Sequence, residues 1–232
     1  MNVSQKIAQE NSVLRWGGLS GILGGIIFIL VIMVVAIFVG EDPAEPVGWI
    51  ERYPSIRLAR VAENGGYLLA LIIWIPHFLG LYVALSRTSL APTLFGSALA
   101  ILGLTVLSAG ALIHVATHPL ATIYHGAEAT PADQAALALM WQATWGVFEA
   151  VLGAGLSMVS IGLIFLSIAI FGSPAFSKGF GWFSLAIAAI SIVAVAISLF
   201  DPSSIIISLS VISLIIFHFV LGWKTYRLSK VM

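Results

Sequence analysis

The chain has 232 residues, 60% of them hydrophobic and 9% charged, and its ten basic and ten acidic side chains cancel. A soluble domain carries about 25% charged residues, so lipid must solvate much of this surface. Zero net charge leaves neither a basic field for nucleic acid nor an acidic tail, and zero cysteine excludes disulfides, thiolate metal sites and thiol catalysis.

A membrane span needs about 20 mainly apolar residues. The first apolar run extends from Trp16 to Val39, and GEDPAEP follows it rather than a small-residue cleavage site. It exceeds the roughly 7–15 residues of a signal-peptide core, so it is expected to be a retained span. Six segments qualify, at about 17–39, 64–85, 93–116, 147–171, 181–200 and 204–223. Backbone polar groups in lipid must be satisfied within each segment, and the alternation of barrel strands is missing, so the spans are helices. The expectation is an all-α protein, one six-helix transmembrane bundle over residues 1–232. The last two spans are separated by FDPSS, whose Asp-Pro pair predicts a tight hairpin turn.

Basic residues set the expected orientation. With the N-terminus in the cytoplasm, Lys6, Arg15, Arg87, Lys178, Lys224, Arg227 and Lys230 lie inside and Arg52, Arg57 and Arg60 outside. Seven against three predicts that both termini are cytoplasmic.

Two outer segments have helical character. SIRLARVAENGGYLL, after Pro54, leads into the second span. Before the fourth, Thr130 as N-cap, Pro131 at N1 and Asp133 at N3 mark a helix start. From Pro131 to Phe171 an unbroken helix would be about 60 Å long. Either it projects outward, or its first four turns bend along the interface under Trp141 and Trp145; the bend is the preferred expectation.

Gly17, Gly21 and Gly25 recur at four-residue spacing on the first span, and Gly153 and Ser157 do so on the fourth. Small residues at that interval let helices approach closely, either within the bundle or against a second copy or another membrane protein. WGGLSGILGG at 16 and WGVFEAVLGAG at 145 echo one another, as the halves of an inverted-repeat transporter would.

Ionisable groups within spans require explanation. Glu63, Tyr67, Trp74 and His77 share one stripe of the second span. Glu63 and His77 are about 21 Å apart along it and cannot bind one small ligand together. Pro76 frees the carbonyl of residue 72 beside His77. His218 on the sixth span lies at the same side, so a His77–His218 pair could hold a haem, or each imidazole could simply bond neighbouring backbone. At the outer end His114 and His118 are one turn apart, with His125 in the following loop and Glu149 and Glu63 at similar depth. His114, His118 and Glu149, faced by Glu63, form a two-His, one-carboxylate set that suits a divalent metal such as zinc, or non-haem iron. HVATH lacks the glutamate of H-E-x-x-H, so no hydrolytic base accompanies it. The alternative is a wet polar margin, with Glu63 and Glu149 paired to Arg57 or Arg60. Pro119 tends to end the helix at His118. No phosphate-binding glycine loop and no G-x-S-x-G is present.

The first span opening RWGGLSGILGG, the amphipathic segment leading into ENGGYLLAL and the Gly/Ala-rich third span resemble a family of uncharacterised bacterial six-span membrane proteins, a domain of unknown function. That resemblance implies a prokaryotic inner membrane and transfers no catalytic residue. The functional expectation is an integral membrane protein with an outer-facing polar or metal-binding His/Glu site. The alternatives are an accessory or scaffold subunit and a small-solute transporter.

Overall fold

The computed structural model describes residues 2–40, 43, 45–201 and 206–231. Their order is α1 (Val3–Val34), a π-helical turn (Val35–Val39), α2 (Pro46–Leu85), α3 (Leu90–Val115), α4 (Thr117–Tyr124), α5 (Pro131–Phe171), α6 (Lys178–Phe200) and α7 (Ile206–Leu228), with no strand among the described residues. These elements make six helical stretches long and apolar enough to cross a membrane, the π-turn continuing α1 and α4 continuing α3. The chain is an all-α, multi-pass membrane protein. The expected FDPSS turn lies mostly outside the described residues.

Trp16 on α1, Trp182 on α6 and Trp223 on α7 are all exposed and lie near the end of the bundle that carries the chain termini. Indole rings favour the headgroup layer, so these three mark one boundary of the bilayer. From Trp16 to the exposed Phe38 the chain rises about 33 Å, close to the ~30 Å of a hydrocarbon core. Helices α2 and α5 are much longer, at 40 and 41 residues. Their first halves therefore extend beyond the bundle at the end opposite the termini, called here the far end.

The bundle is assembled on seams where backbone meets backbone. A methyl group added at Gly18 would stand 2.4 Å from the Tyr226 nitrogen of α7, and one at Gly17 would stand 2.8 Å from the Pro76 carbonyl of α2. Gly21 lies against the His218 carbonyl and the His77 ring. On the other side of the bundle Gly96 of α3 meets Gly162 of α5, and Gly103 meets Gly155, with an added methyl at each 2.7–3.0 Å from the opposite carbonyl. Lipid offers no hydrophobic drive for helix pairing, so close van der Waals approach must supply it. The Gly17, Gly21 and Gly25 face is thus packed against α2 and α7 of the same chain. The small-residue pair expected on the fourth span is also corrected: Gly153 has an ordinary 3.7 Å contact with Val195, whereas Gly155 and Gly162, seven residues apart, make the close seam.

Two outer segments depart from expectation. Helix α2 starts at Pro46 and carries Pro54 inside it, rather than beginning after that proline. Helix α5 runs unbroken from its Thr130–Asp133 capping box instead of bending into the interface. The reason is a second, smaller core at the far end, where Ile50 and Tyr53 of α2, Ala121 and Tyr124 of α4, and Leu137, Ala138 and Trp141 of α5 bury one another. Each extension shields the other's apolar face.

Gly18→Ala should destabilise the protein by about 1–3 kcal/mol through overpacking, whereas Gly65→Ala and Gly146→Ala, where an added methyl meets nothing within 4 Å, should be neutral or stabilising. Thermal unfolding in one detergent checks the contrast, and equal melting shifts at all three positions would mean that the seam is not under steric control.

Candidate functional site

Pro119 and Pro54 shape the far end. Proline lacks the N–H that would bond the carbonyl four residues back, so α3 stops at Val115 and a new helix, α4, starts at Thr117 with Pro119 in its first turn. The Thr117 hydroxyl donates to the His114 carbonyl at 2.6 Å across this break. Pro54 likewise leaves the carbonyl of Ile50 unbonded inside α2. His125, just after α4, fills that gap, with Nε2 donating to Ile50 O at 3.1 Å. The Tyr124 hydroxyl bonds Glu51 at 3.3 Å and Gln134 of α5 donates to the Tyr124 carbonyl at 3.2 Å. His125 is therefore a clamp that docks α4 on a proline-freed carbonyl.

The expected metal set is not assembled. Among the described residues no group of three or more His, Asp or Glu side chains is placed to hold one ion. His114 and His118 take different partners. His114 is buried at the end of α3, with Nδ1 2.7 Å from the Asn64 amide oxygen and its ring stacked on Phe148. His118 instead lies against the Tyr53 ring, centroids 5.9 Å apart, with a buried Nδ1 that has no hydrogen bond. Glu149 is exposed and accepts from Trp145 Nε1 at 2.9 Å. Glu63 pairs with Arg60 at 2.9 Å, as the polar-margin reading expected.

What the fold does gather at the far end is a pocket of about 400 Å³ between α1, α2, α3, α5 and α7. Phe28, Val31, Phe148, Leu152 and Val211 form apolar walls, and Glu63, Asn64, Tyr67 and His114 form the polar part. The pocket lies where the α1–α7 seam changes composition. Glycines hold the two helices together from Gly18 to Gly25; beyond them Val31, Ile32 and the π-turn residues Val35 and Ala36 face Ile207, Val211 and Ile212 across the space. π-turns inside helices recur at functional sites. Exposed Ile32 and Ile212 form an outer lip towards lipid.

Hydrogen-bond capacity on the polar wall is unspent. An amide oxygen accepts, so His114 Nδ1 carries the hydrogen towards Asn64, and the neutral ring presents Nε2 as a bare acceptor. The Asn64 amide nitrogen and the Tyr67 hydroxyl have no hydrogen-bond partner among the described residues. Behind this wall is a cavity of only about 10 Å³, lined by Arg52, Arg60, Trp141 and Trp145, the size of one water. Sequence reading found His114 and Glu63 but missed Asn64 as the partner of His114; Tyr67 it placed on the stripe through Glu63.

The other expected pair is brought together. His77 and His218 are fully buried with Nδ1 atoms 2.7 Å apart. A haem does not fit there. Metal–imidazole bonds of about 2 Å would hold the two nitrogens about 4 Å apart, and Trp74 already covers the His218 face, parallel to it at 4.0 Å.

Comparison of the chain with protein-family models, curated proteins and solved structures finds no match.

If His125 clamps the Pro54-freed carbonyl, His125→Ala should cost about 1–3 kcal/mol by stranding a buried acceptor. In a Pro54→Ala background the backbone itself supplies a donor, so the same change should cost less. A double-mutant cycle of melting temperatures reads this directly, and strict additivity would refute the clamp.

Proposed function

We propose that this protein binds a single-chain amphiphile from the bilayer, with the hydrocarbon body in the α1–α7 pocket and a neutral hydroxyl or carbonyl head at Asn64, Tyr67 and His114. The observation that carries this reading is the arrangement of one pocket: about 400 Å³, apolar on most sides, with its unspent donors and acceptors on one wall. That volume falls within the usual range of small-molecule sites, roughly 300–1,000 Å³. An aqueous solute would leave most of the lining unsatisfied, whereas a hydrocarbon would leave the polar wall unpaired. An amphiphile answers both. Arg60 neutralises Glu63 at the rim, which favours an uncharged head over a carboxylate. A hydroxyl suits the site best, because it can donate to His114 Nε2 while accepting from Asn64 or Tyr67.

The setting proposed is a bacterial inner membrane with both termini cytoplasmic and the pocket towards the outer face. It rests on the basic residues near the terminal end, including Arg15, Lys178, Lys224 and Arg227. Reporter fusions should place the 86–89 and 172–177 loops in the cytoplasm and the 125–130 loop outside. The reverse pattern would turn the pocket to the cytoplasmic leaflet.

Binding is tested with 1-dodecanol and lauric acid added to the purified protein in detergent, read by native mass spectrometry. The alcohol should bind more tightly than the acid. Tyr67→Phe should weaken the alcohol about tenfold, the equivalent of one hydrogen bond of ~1.4 kcal/mol, and Leu152→Trp should abolish binding by filling the pocket. Equal affinity in wild type and Leu152→Trp would sink the proposal.

A further inference from the structure

The lipid-facing surface of α1 has a second opening, which shares no lining residue with the far-end pocket. It is a groove of about 520 Å³ between α1 and α2, with Trp16, Leu19, Leu23 and Ile26 on one side and Ile73 and Pro76 on the other. Gly17 and Gly24 turn their bare faces to Pro76, Gly80 and Trp74 of α2, so the bulky side chains on the flank of that seam stand towards lipid. The groove wall offers hydrocarbon. Its one hydroxyl, that of Ser20, donates to the Gly17 carbonyl at 2.8 Å within its own helix. Trp16 marks the bilayer boundary, and Ile26, ten residues on, lies about 15 Å deeper, half of a ~30 Å hydrocarbon core. The groove therefore covers the depth of one leaflet, the reach of one acyl chain. Its mouth carries a cation. Arg15, Leu19, Ile22 and Ile26 form one stripe of α1, which places Arg15 one turn beyond the apolar lining, beside Trp16 in the headgroup layer. Arg15 is exposed, and neither its guanidinium nor the Trp16 indole N–H has a hydrogen bond or ion pair among the described residues. Glu10, the single acid of α1, is held by Arg87.

We propose that this groove seats one anionic phospholipid of the leaflet at the terminal end, with the phosphate on Arg15 and Trp16 Nε1 and one acyl chain along Leu19, Leu23 and Ile26. The planar fork of a guanidinium matches phosphate oxygens, and the indole N–H supplies a further donor. Charge selects among lipids. Lys6, Arg87, Lys178, Lys224, Arg227 and Lys230 surround the same end of the bundle, and such a field attracts a headgroup of net negative charge. Shape favours a lipid over a helix from a second copy. Helices associate in lipid where small residues let backbones close, and the glycines of α1 are turned to α2 and α7. Large side chains wall the groove instead, a surface that a flexible chain can follow. This site is independent of the far-end pocket and of what that pocket binds.

The test is native mass spectrometry of the full chain in detergent, titrated with palmitoyl-oleoyl phosphatidylglycerol or with the phosphatidylcholine of the same chains. The first phosphatidylglycerol should bind more tightly than the first phosphatidylcholine. Arg15→Gln should weaken phosphatidylglycerol about tenfold, as the loss of one charged hydrogen bond does. Lys178→Gln, the same charge change at the same end of the bundle, should change it much less. Leu23→Trp should weaken both lipids by filling the groove, and Leu152→Trp in the far-end pocket should weaken neither. Arg15 and Leu23 are exposed, so neither variant disturbs the core. Equal affinity for the two lipids in the wild type would overturn the proposal, as would wild-type phosphatidylglycerol binding in Leu23→Trp. Equal weakening by Arg15→Gln and Lys178→Gln would replace the site with a diffuse basic surface. A wild-type dimer that Leu23→Trp dissociates would assign the groove to a second copy and end the lipid assignment.

Discussion

Close backbone contact at glycine is the constraint on which the rest of this structure depends. Within lipid, apolar side chains gain nothing by leaving one hydrocarbon for another, so two helices stay together only if their surfaces interlock. Here α1 sits against α7 at Gly18 and against α2 at Gly17, while α3 and α5 meet at Gly96–Gly162 and Gly103–Gly155. Each seam removes the side chain that would hold the backbones apart. The two histidines of the core owe their contact to this arrangement, because α2 and α7 are brought within reach of one another by the narrow helix between them.

The pocket is the complement of the same device. Where the glycines of α1 end, branched side chains and a π-turn take over, and α1 and α7 no longer touch along their full length. A gradient of side-chain size along one seam therefore makes a tight half and an open half. The polar wall of the open half comes from α2 and α3, whose Asn64 and His114 hold one another in a fixed orientation. Orientation matters because a neutral imidazole can present only one acceptor, and Asn64 decides that it is Nε2.

The far-end cap follows a different logic, that of prolines and the backbone groups they strand. Pro119 stands in the first turn of α4, which follows directly on α3; Pro54 leaves a carbonyl free in α2; His125 at the end of α4 takes that carbonyl. The result holds the extensions of α2 and α5 beside each other around Tyr53 and Trp141. Asp133, at the exposed start of α5, has its carboxyl held below the ordinary carboxylate range by hydrogen bonds from Thr130, the electrostatic signature of the same helix start that spacing alone had marked.

The sequence by itself determined the number and class of the helices, because hydrocarbon thickness and the need to satisfy the backbone leave few choices for runs this apolar. It also determined the close-contact role of Gly17 and Gly21, the start of α5 at Thr130 and the shared stripe of Tyr67, Trp74 and His77, all of which are properties of one helix. Only the tertiary structure decided which helix filled each glycine face, that Gly155 and Gly162 rather than Gly153 made the α3–α5 seam, and that His114 turned to Asn64 instead of to His118 and Glu149. Those outcomes depend on how pairs of helices meet, which is not encoded in spacing along a single segment. The histidines that were neighbours in sequence took separate partners, and two that are 141 residues apart were joined where Gly21 leaves room for the His77 ring.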